Sequence, residues 1–425
     1  MIEGQAVVAA PSRWRGVGRF GLASVSSAGV SISHLLIQLV SIHHLDAIGI
    51  GTLAFLLVVI QFGYSLSNAL VSTPYTIAFN QAEDANPAAL DFFFPVNLLL
   101  SLAQGVVCAA IAWIMVGPLA AAAFGIAGVL QLLRWFGRSN AYAHHQPIGA
   151  ARSDVIYAVT VVAGLAAGLV LGVSVPGIGL IVAVAALAGL LPFGARFVRR
   201  HTPSGLGRAF AAYRPVWRDQ SAWTLIGVIT TEATSNAHSY IVTLMAGPRA
   251  FAPIAVGMLF FRPVNVCITA LTQLERPRMT RAVARGDQRS AIQAERVFMA
   301  ALVAIWLVTA AAVAVVLWRF PTVIISPTLD QRTVALAVMF CALLSLVQCI
   351  QAPMSVLAQA RRMFRPLAAA SAYSCVVGVV GVTAITLTIA PVFSVAGVVV
   401  AQLVMMAGIY RLDRRWQRQT ASVGD

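Results

Sequence analysis

Runs of about twenty apolar residues recur along this chain with little between them. A helix needs a run of that length to cross the hydrocarbon core of a bilayer. Twelve such runs can be marked, at about 19–42, 47–72, 92–115, 118–141, 154–173, 176–197, 220–246, 250–273, 297–318, 333–357, 366–389 and 392–411. Several are separated only by short turns near Pro118, Pro176 and Gly247-Pro248. Of the 425 residues, 59% are hydrophobic and 10% charged, against about a quarter charged in a soluble domain. Soluble, disordered and coiled-coil chains are excluded. The sequence predicts an all-α integral membrane protein of about twelve transmembrane helices.

Charge sets the orientation. The net charge is +15, and all 29 basic residues are arginine. With the N-terminus inside, only Arg249, Arg319 and Arg332 fall in outside loops, Arg262 lies mid-span, and 25 arginines lie in or beside inside segments. That asymmetry places both termini on the cytoplasmic side. It also explains the high pI without nucleic acid as a partner: the arginines punctuate apolar runs, as cytoplasmic loops do, and the partner they imply is the lipid bilayer. Arg13, Arg15 and Arg19 precede a first run longer than a signal-peptide core, with no A-x-A site after it, so a retained first span is expected.

The loops are too short for a soluble catalytic domain. No HExxH, Walker, GxSxG or dinucleotide motif is present. The chain is read as a non-enzyme with no cofactor or metal. Cys108, Cys267, Cys341, Cys349 and Cys375 all lie within apolar runs, as packing residues do. The doublets His43-His44 and His144-His145 point their rings in different directions on a helix.

A faint duplication runs through the chain. Ser31-Ile32-Ser33-His34 is echoed by Ser235-Asn236-Ala237-His238, Ala69-Leu70 by Ala270-Leu271, and Pro74 by Pro277, at offsets of 201 to 204. Two six-span halves in parallel orientation follow: an N-terminal lobe over 1–200, an interfacial linker over 201–219 and a C-terminal lobe over 220–425. In the linker, Leu206, Phe210, Tyr213 and Trp217 make one helical stripe, the pattern of a short helix lying in the inner interface.

Ionisable groups inside a membrane are costly and mark function by default. Glu232 is the only acid well inside a predicted span, and Arg262 the only base near the middle of one. Counted from the outer ends of two consecutive spans, their depths differ by roughly 3 Å. Two roles fit such neighbours. One is an ion pair holding the two spans together. The other is a lumenal pair in which Arg262 binds an anion and Glu232 takes up the coupling ion. Pro263 predicts a kink beside Arg262. Ser27, Ser31, His34 and Gln38 line one face of span one, and Glu232, Ser235, Asn236 and Ser239 one face of span seven. Such faces turn toward protein or a wet cavity. Gln61 is the repeat-mate of Arg262. The candidate substrate-binding residues are therefore Arg262, Gln61, His34, Gln38 and Asn236, with Glu232 for ion coupling. Gly164, Gly168 and Gly172 predict a close helix approach.

Three stretches resemble a known family. They are Leu130-Gln131-Leu132-Leu133-Arg134 through Tyr142-Ala143 to Asp154; Ala246-Gly247-Pro248; and Pro263-Val264-Asn265 through Thr269-Ala270-Leu271 to Arg276-Pro277-Arg278 and Ala284-Arg285-Gly286-Asp287. Their order and spacing resemble the polysaccharide and oligosaccharide flippases of the multidrug/oligosaccharidyl-lipid/polysaccharide exporter superfamily. The resemblance implies two six-helix bundles around a basic lumen in a bacterial cytoplasmic membrane. The substrate it implies is an undecaprenyl-pyrophosphate-linked oligosaccharide, and the partners are polysaccharide polymerase and export proteins. Two other functions compatible with the sequence are a multidrug or metabolite antiporter of that superfamily and a non-transporting scaffold of a polysaccharide assembly complex.

Overall fold

Helix boundaries fall where capping groups and prolines dictate them. Asp46, Ser174, Asp287 and Asp330 cap the helices that follow, each side chain accepting a hydrogen bond from a backbone N–H three residues on, at 2.8, 3.2, 3.0 and 2.9 Å. At Asp287 the hydrogen bonds from Ser290 hold the carboxyl below its usual range. Pro118, Pro147 and Pro248 open their helices at the first position, where a missing N–H costs nothing.

The computed structural model describes residues 13–81, 90–202, 205–320 and 327–421, with side chains for all of these except 13–28, 80–81 and 415–421. Side-chain readings for Arg13, Arg15, Arg19, Ser27, Arg415 and Arg418, and the linker's Pro203, lie outside the described residues. The helices are α1 Arg13–His44, α2 Ala47–Ser67, α3 Thr73–Gln81, α4 Phe93–Met115, α5 Pro118–Ala143, α6 Pro147–Leu171, α7 Val175–Leu190, α8 Gly194–Arg200, α9 Leu206–Val216, α10 Ala222–Ala246, α11 Pro248–Phe260, α12 Arg262–Ala284, α13 Gln288–Arg319, α14 Gln331–Ala360, α15 Phe364–Thr388 and α16 Ser394–Ala421. A π-helical turn, Asn68–Ser72, joins α2 to α3, and another, Trp217–Ser221, joins α9 to α10.

Nine helical stretches among the described residues are long and apolar enough to cross a membrane. Together α11 and α12 make a tenth, bent by 53°. The break falls at Phe261, beside the proline that predicted a kink. The remaining two expected spans are α1 and α10. The protein is thus an all-α, multi-pass membrane protein.

Helix pairing repeats along the chain. In the first half, α1 packs on α6, α5 on α7 and α6 on α7; in the second, α10 packs on α15, α14 on α16 and α15 on α16. Between the two bundles, α2 crosses α11. There a Cβ on Gly51 would stand 1.8 Å from the Pro248 carbonyl oxygen, so only glycine permits the approach. Ile50, Leu53, Phe251 and Ile254, each at most 4% exposed, fill this end of the molecule. It is the outer end by the arginine count.

One sequence expectation needs correction. Gly164 does face α7, where its Cβ would meet Ile181 at 2.7 Å. Gly172, however, ends α6 with a φ of +102° and nothing within 4 Å, so it is a cap. In the linker, the stripe residues have different surroundings. Tyr213 is buried in a cluster with Val71, Tyr75, Phe93, Phe94 and Phe136, while Phe210 and Trp217 are exposed. The Tyr213 hydroxyl donates to the Leu70 carbonyl at 2.6 Å and meets Ser221 Oγ at 3.0 Å.

Candidate functional site

A cavity of about 1160 Å³ lies between the two bundles. Its walls come from α1, α2 and α5 on one side and α10, α11, α12, α14 and α16 on the other. The lining reaches Tyr142, at the inward end of α5, and Gln273, midway along α12, both exposed. The cavity therefore opens toward the arginine-rich side, while the α2–α11 crossing closes the other.

Arg262, Gln61, His34, Gln38 and Asn236 all line this cavity. Arg262 is the first residue of α12, and the break at Phe261 turns it inward. Its Nη1 donates to Gln38 Oε1 at 3.1 Å, joining α12 to α1 across the two bundles. Gln61 has an exposed side chain on α2.

Glu232 is placed otherwise. It is not among the lining residues, and no ion pair joins it to Arg262 among the described residues. Its carboxylate accepts hydrogen bonds from Asn236 Nδ2 at 2.8 Å and Tyr240 Oη at 2.9 Å. Counting along a helix sets depth but not rotation, and α12 leaves the α11 axis just before Arg262. The expected pair is therefore not made. His238 is fully buried, with Nε2 3.2 Å from Met258 Sδ, as packing histidines are.

Sequence reasoning missed a second charged group. Arg134 Nη1 donates to Asp154 Oδ1 at 2.9 Å, and Arg138 Nη2 pairs with Asp154 Oδ2 at 3.1 Å. Asp154 is 0% exposed, Arg134 1%, and Arg138 reaches the cavity lining. Two guanidiniums thus share one carboxylate, leaving one net positive charge at this wall. Each guanidinium also lies over a ring, Arg134 at 4.2 Å from the Tyr157 centroid and Arg138 at 4.8 Å from that of Trp135.

A directed chain of hydrogen bonds adjoins these charges. Tyr64 donates to Gln131 Oε1 at 3.0 Å, and Gln131 Nε2 donates to Tyr157 Oη at 2.9 Å. Tyr157 Oη also shares a hydrogen bond with His34 Nε2 at 3.0 Å. His34 is buried at 5% exposure.

On the other wall, the lining residues of α14, α16 and α12 beyond Arg262 are uncharged and rich in amides. Asn265 and Gln273 on α12, Gln348 and Gln351 on α14, and Gln402 on α16 line it, with Ser345 and Ser355 on α14. Ser345, Gln348, Ala352 and Ser355 recur at three- and four-residue steps, a face that the sequence carries in plain view. Among the described residues, no aspartate or glutamate lines the cavity.

No protein-family model matches the chain, and no curated protein matches it. Solved structures do. The lipid II flippase MurJ in an inward closed conformation superposes with a TM-score of 0.64 at 10% identity, covering 92% of this chain and 87% of that one. An inward-facing multidrug resistance MATE-family transporter of the MOP superfamily gives 0.63 at 14% identity, covering 95% and 94%. A MOP superfamily transporter from Pyrococcus furiosus gives 0.53 at 13% identity, covering 95% of each chain. The chain has the fold of these proteins. That likeness is to a flippase and to drug transporters alike.

Proposed function

We propose that the protein is an alternating-access transporter of this superfamily and that it flips a lipid-linked oligosaccharide across a bacterial cytoplasmic membrane. The observation that carries this reading is the lining itself, which among the described residues has arginines and carboxamides but no carboxylate. A pyrophosphate cannot enter hydrocarbon unaided, because desolvating its charge costs several kcal/mol or more. Arg262 and Arg138 offer that charge fixed partners in a cavity open to the inner side. The oligosaccharide occupies the wet cavity while the prenyl tail stays among lipid. Rocking of the bundles about the α2–α11 crossing then exposes the site outward.

A drug antiporter is the second reading, favoured by one feature: Glu232, held by Asn236 and Tyr240, is a carboxylate beside the cavity that could carry a coupling ion. The cationic lining disfavours a cationic drug. Polysaccharide polymerase and export proteins are proposed partners of the flippase.

The test is a deletion strain assayed for undecaprenyl-linked oligosaccharide and for surface polysaccharide. Intermediate that accumulates as surface glycan disappears, with both restored by the wild-type gene and not by Arg262→Ala, supports the flippase. Normal glycan together with new drug sensitivity overturns it in favour of the antiporter.

A further inference from the structure

The polar groups of the cavity are sorted between its walls. Charge lies with Arg138 on α5 and with Arg262, which is tied to α1. The residues of α14 and α16 that line the cavity carry none, nor do those of α12 beyond Arg262. Among the described residues, the carboxamides of Gln273, Gln348, Gln351 and Gln402 have no hydrogen-bond partner within the protein, although Gln402 is 95% buried. Ser345 Oγ is likewise buried and unpartnered. Gln273 is exposed and Gln348 and Gln351 are half-buried, so these amides open onto the cavity and can bond to something that enters it. A carboxamide presents both donors and an acceptor without net charge. Several of them along one helix face match a ligand that also alternates donors and acceptors, namely a hydroxyl-rich neutral sugar. A carboxylated sugar would exchange water for uncharged amides, without a compensating cation among the lining residues of α14 and α16.

We infer that Gln348, Gln351 and Ser345 on α14, with Gln273 and Gln402, form a glycan subsite selective for uncharged sugars, separate from the arginines that hold the anionic link. This inference rests on the flippase reading. The arginines set whether a pyrophosphate lipid binds, and the amide wall sets which glycan it carries.

The test uses the purified full chain in nanodiscs with three probes: undecaprenyl pyrophosphate, the same lipid bearing a neutral N-acetylhexosamine disaccharide, and the same lipid bearing a uronic-acid disaccharide. Wild-type protein is expected to bind the neutral-disaccharide lipid at least about 10-fold more tightly than either other probe. Gln348→Leu/Gln351→Leu is expected to abolish that preference, a loss of about 10-fold for two hydrogen bonds to the sugar, while sugar-free lipid binds within 2-fold of wild type. Retained binding of the sugar-free lipid is also the control for folding. A second variant, Gln348→Glu, is expected to discriminate further against the uronic-acid probe. An unchanged preference in the double leucine variant, or equal binding of the neutral and acidic probes by wild type, overturns the inference and leaves the flippase reading standing. Failure of wild type to bind any of the three lipids overturns both.

Discussion

Replacing Asp154 by asparagine removes the one carboxylate that two arginines share. Arg134 stands 2.9 Å from one oxygen and Arg138 3.1 Å from the other, and the carboxylate is fully buried. Asparagine keeps the shape and loses the charge. Arg134, at 1% exposure, cannot reach water to compensate. Removing one partner of a buried ion pair costs about 3–5 kcal/mol. With an unfolding entropy of about 2.1 cal/mol/K per residue, that corresponds to a fall in Tm of about 3–6 °C for a chain of this length. Melting in detergent can be followed with a thiol-reactive dye, because Cys108, Cys341 and Cys349 are buried and become reactive on unfolding. The double variant Arg134→Met/Asp154→Asn carries one uncompensated buried charge fewer. It should recover part of the loss, with a coupling of about 0.5–3 kcal/mol. An Asp154→Asn protein that melts with wild type, or a double variant no more stable than the single one, would refute the assignment of this network as a coupled buried unit.

Other outcomes follow from the same geometry. Glu232→Gln and Arg262→Ala should be additive in thermal stability within about 0.5 kcal/mol, since the two residues do not touch; a larger coupling would mean that the pair forms. Gly51→Val drives a side chain into the Pro248 carbonyl and should cost about 1–3 kcal/mol by overpacking, so an unchanged Tm would argue against the tight α2–α11 crossing. His201, just past α8, accepts from Asn97 Nδ2 at 3.2 Å and is held by burial at a pKa of about 4 instead of 6.5. Its unfolded form therefore binds a proton that the native form refuses, and stability should decline as pH falls from 6.5 toward 4 and stay flat above. His201→Gln should flatten that slope, as read from melts at stepped pH.

Span number was legible because apolar run length is a direct physical requirement. The rotation of side chains about each helix was not. Arg262, Gln38, His34, Gln61 and Asn236 were found because polar residues in hydrocarbon must face protein or water, and they do converge on one cavity. Glu232 was traced by the same rule to the right region, but a rotation that depth cannot give turns its carboxylate to Asn236 and Tyr240. Asp154 was hidden by a boundary. The apolar count starts its span at residue 154, whereas Pro147 opens the helix two turns earlier and carries Asp154 into the bundle. The amides of α14 were readable as a stripe. They escaped because uncharged groups in the second half of the chain cost too little to stand out beside a charge.

The most direct measurement of the central claim is flipping itself. The purified protein is reconstituted into proteoliposomes with a fluorescent undecaprenyl-pyrophosphate-linked neutral oligosaccharide, and outward exposure is read by a membrane-impermeant quencher. The account predicts protein-dependent flipping that Arg262→Ala abolishes while the variant's Tm stays within a few degrees of wild type. Flipping at the protein-free rate by well-folded wild-type protein, or unimpaired flipping by Arg262→Ala, would contradict it.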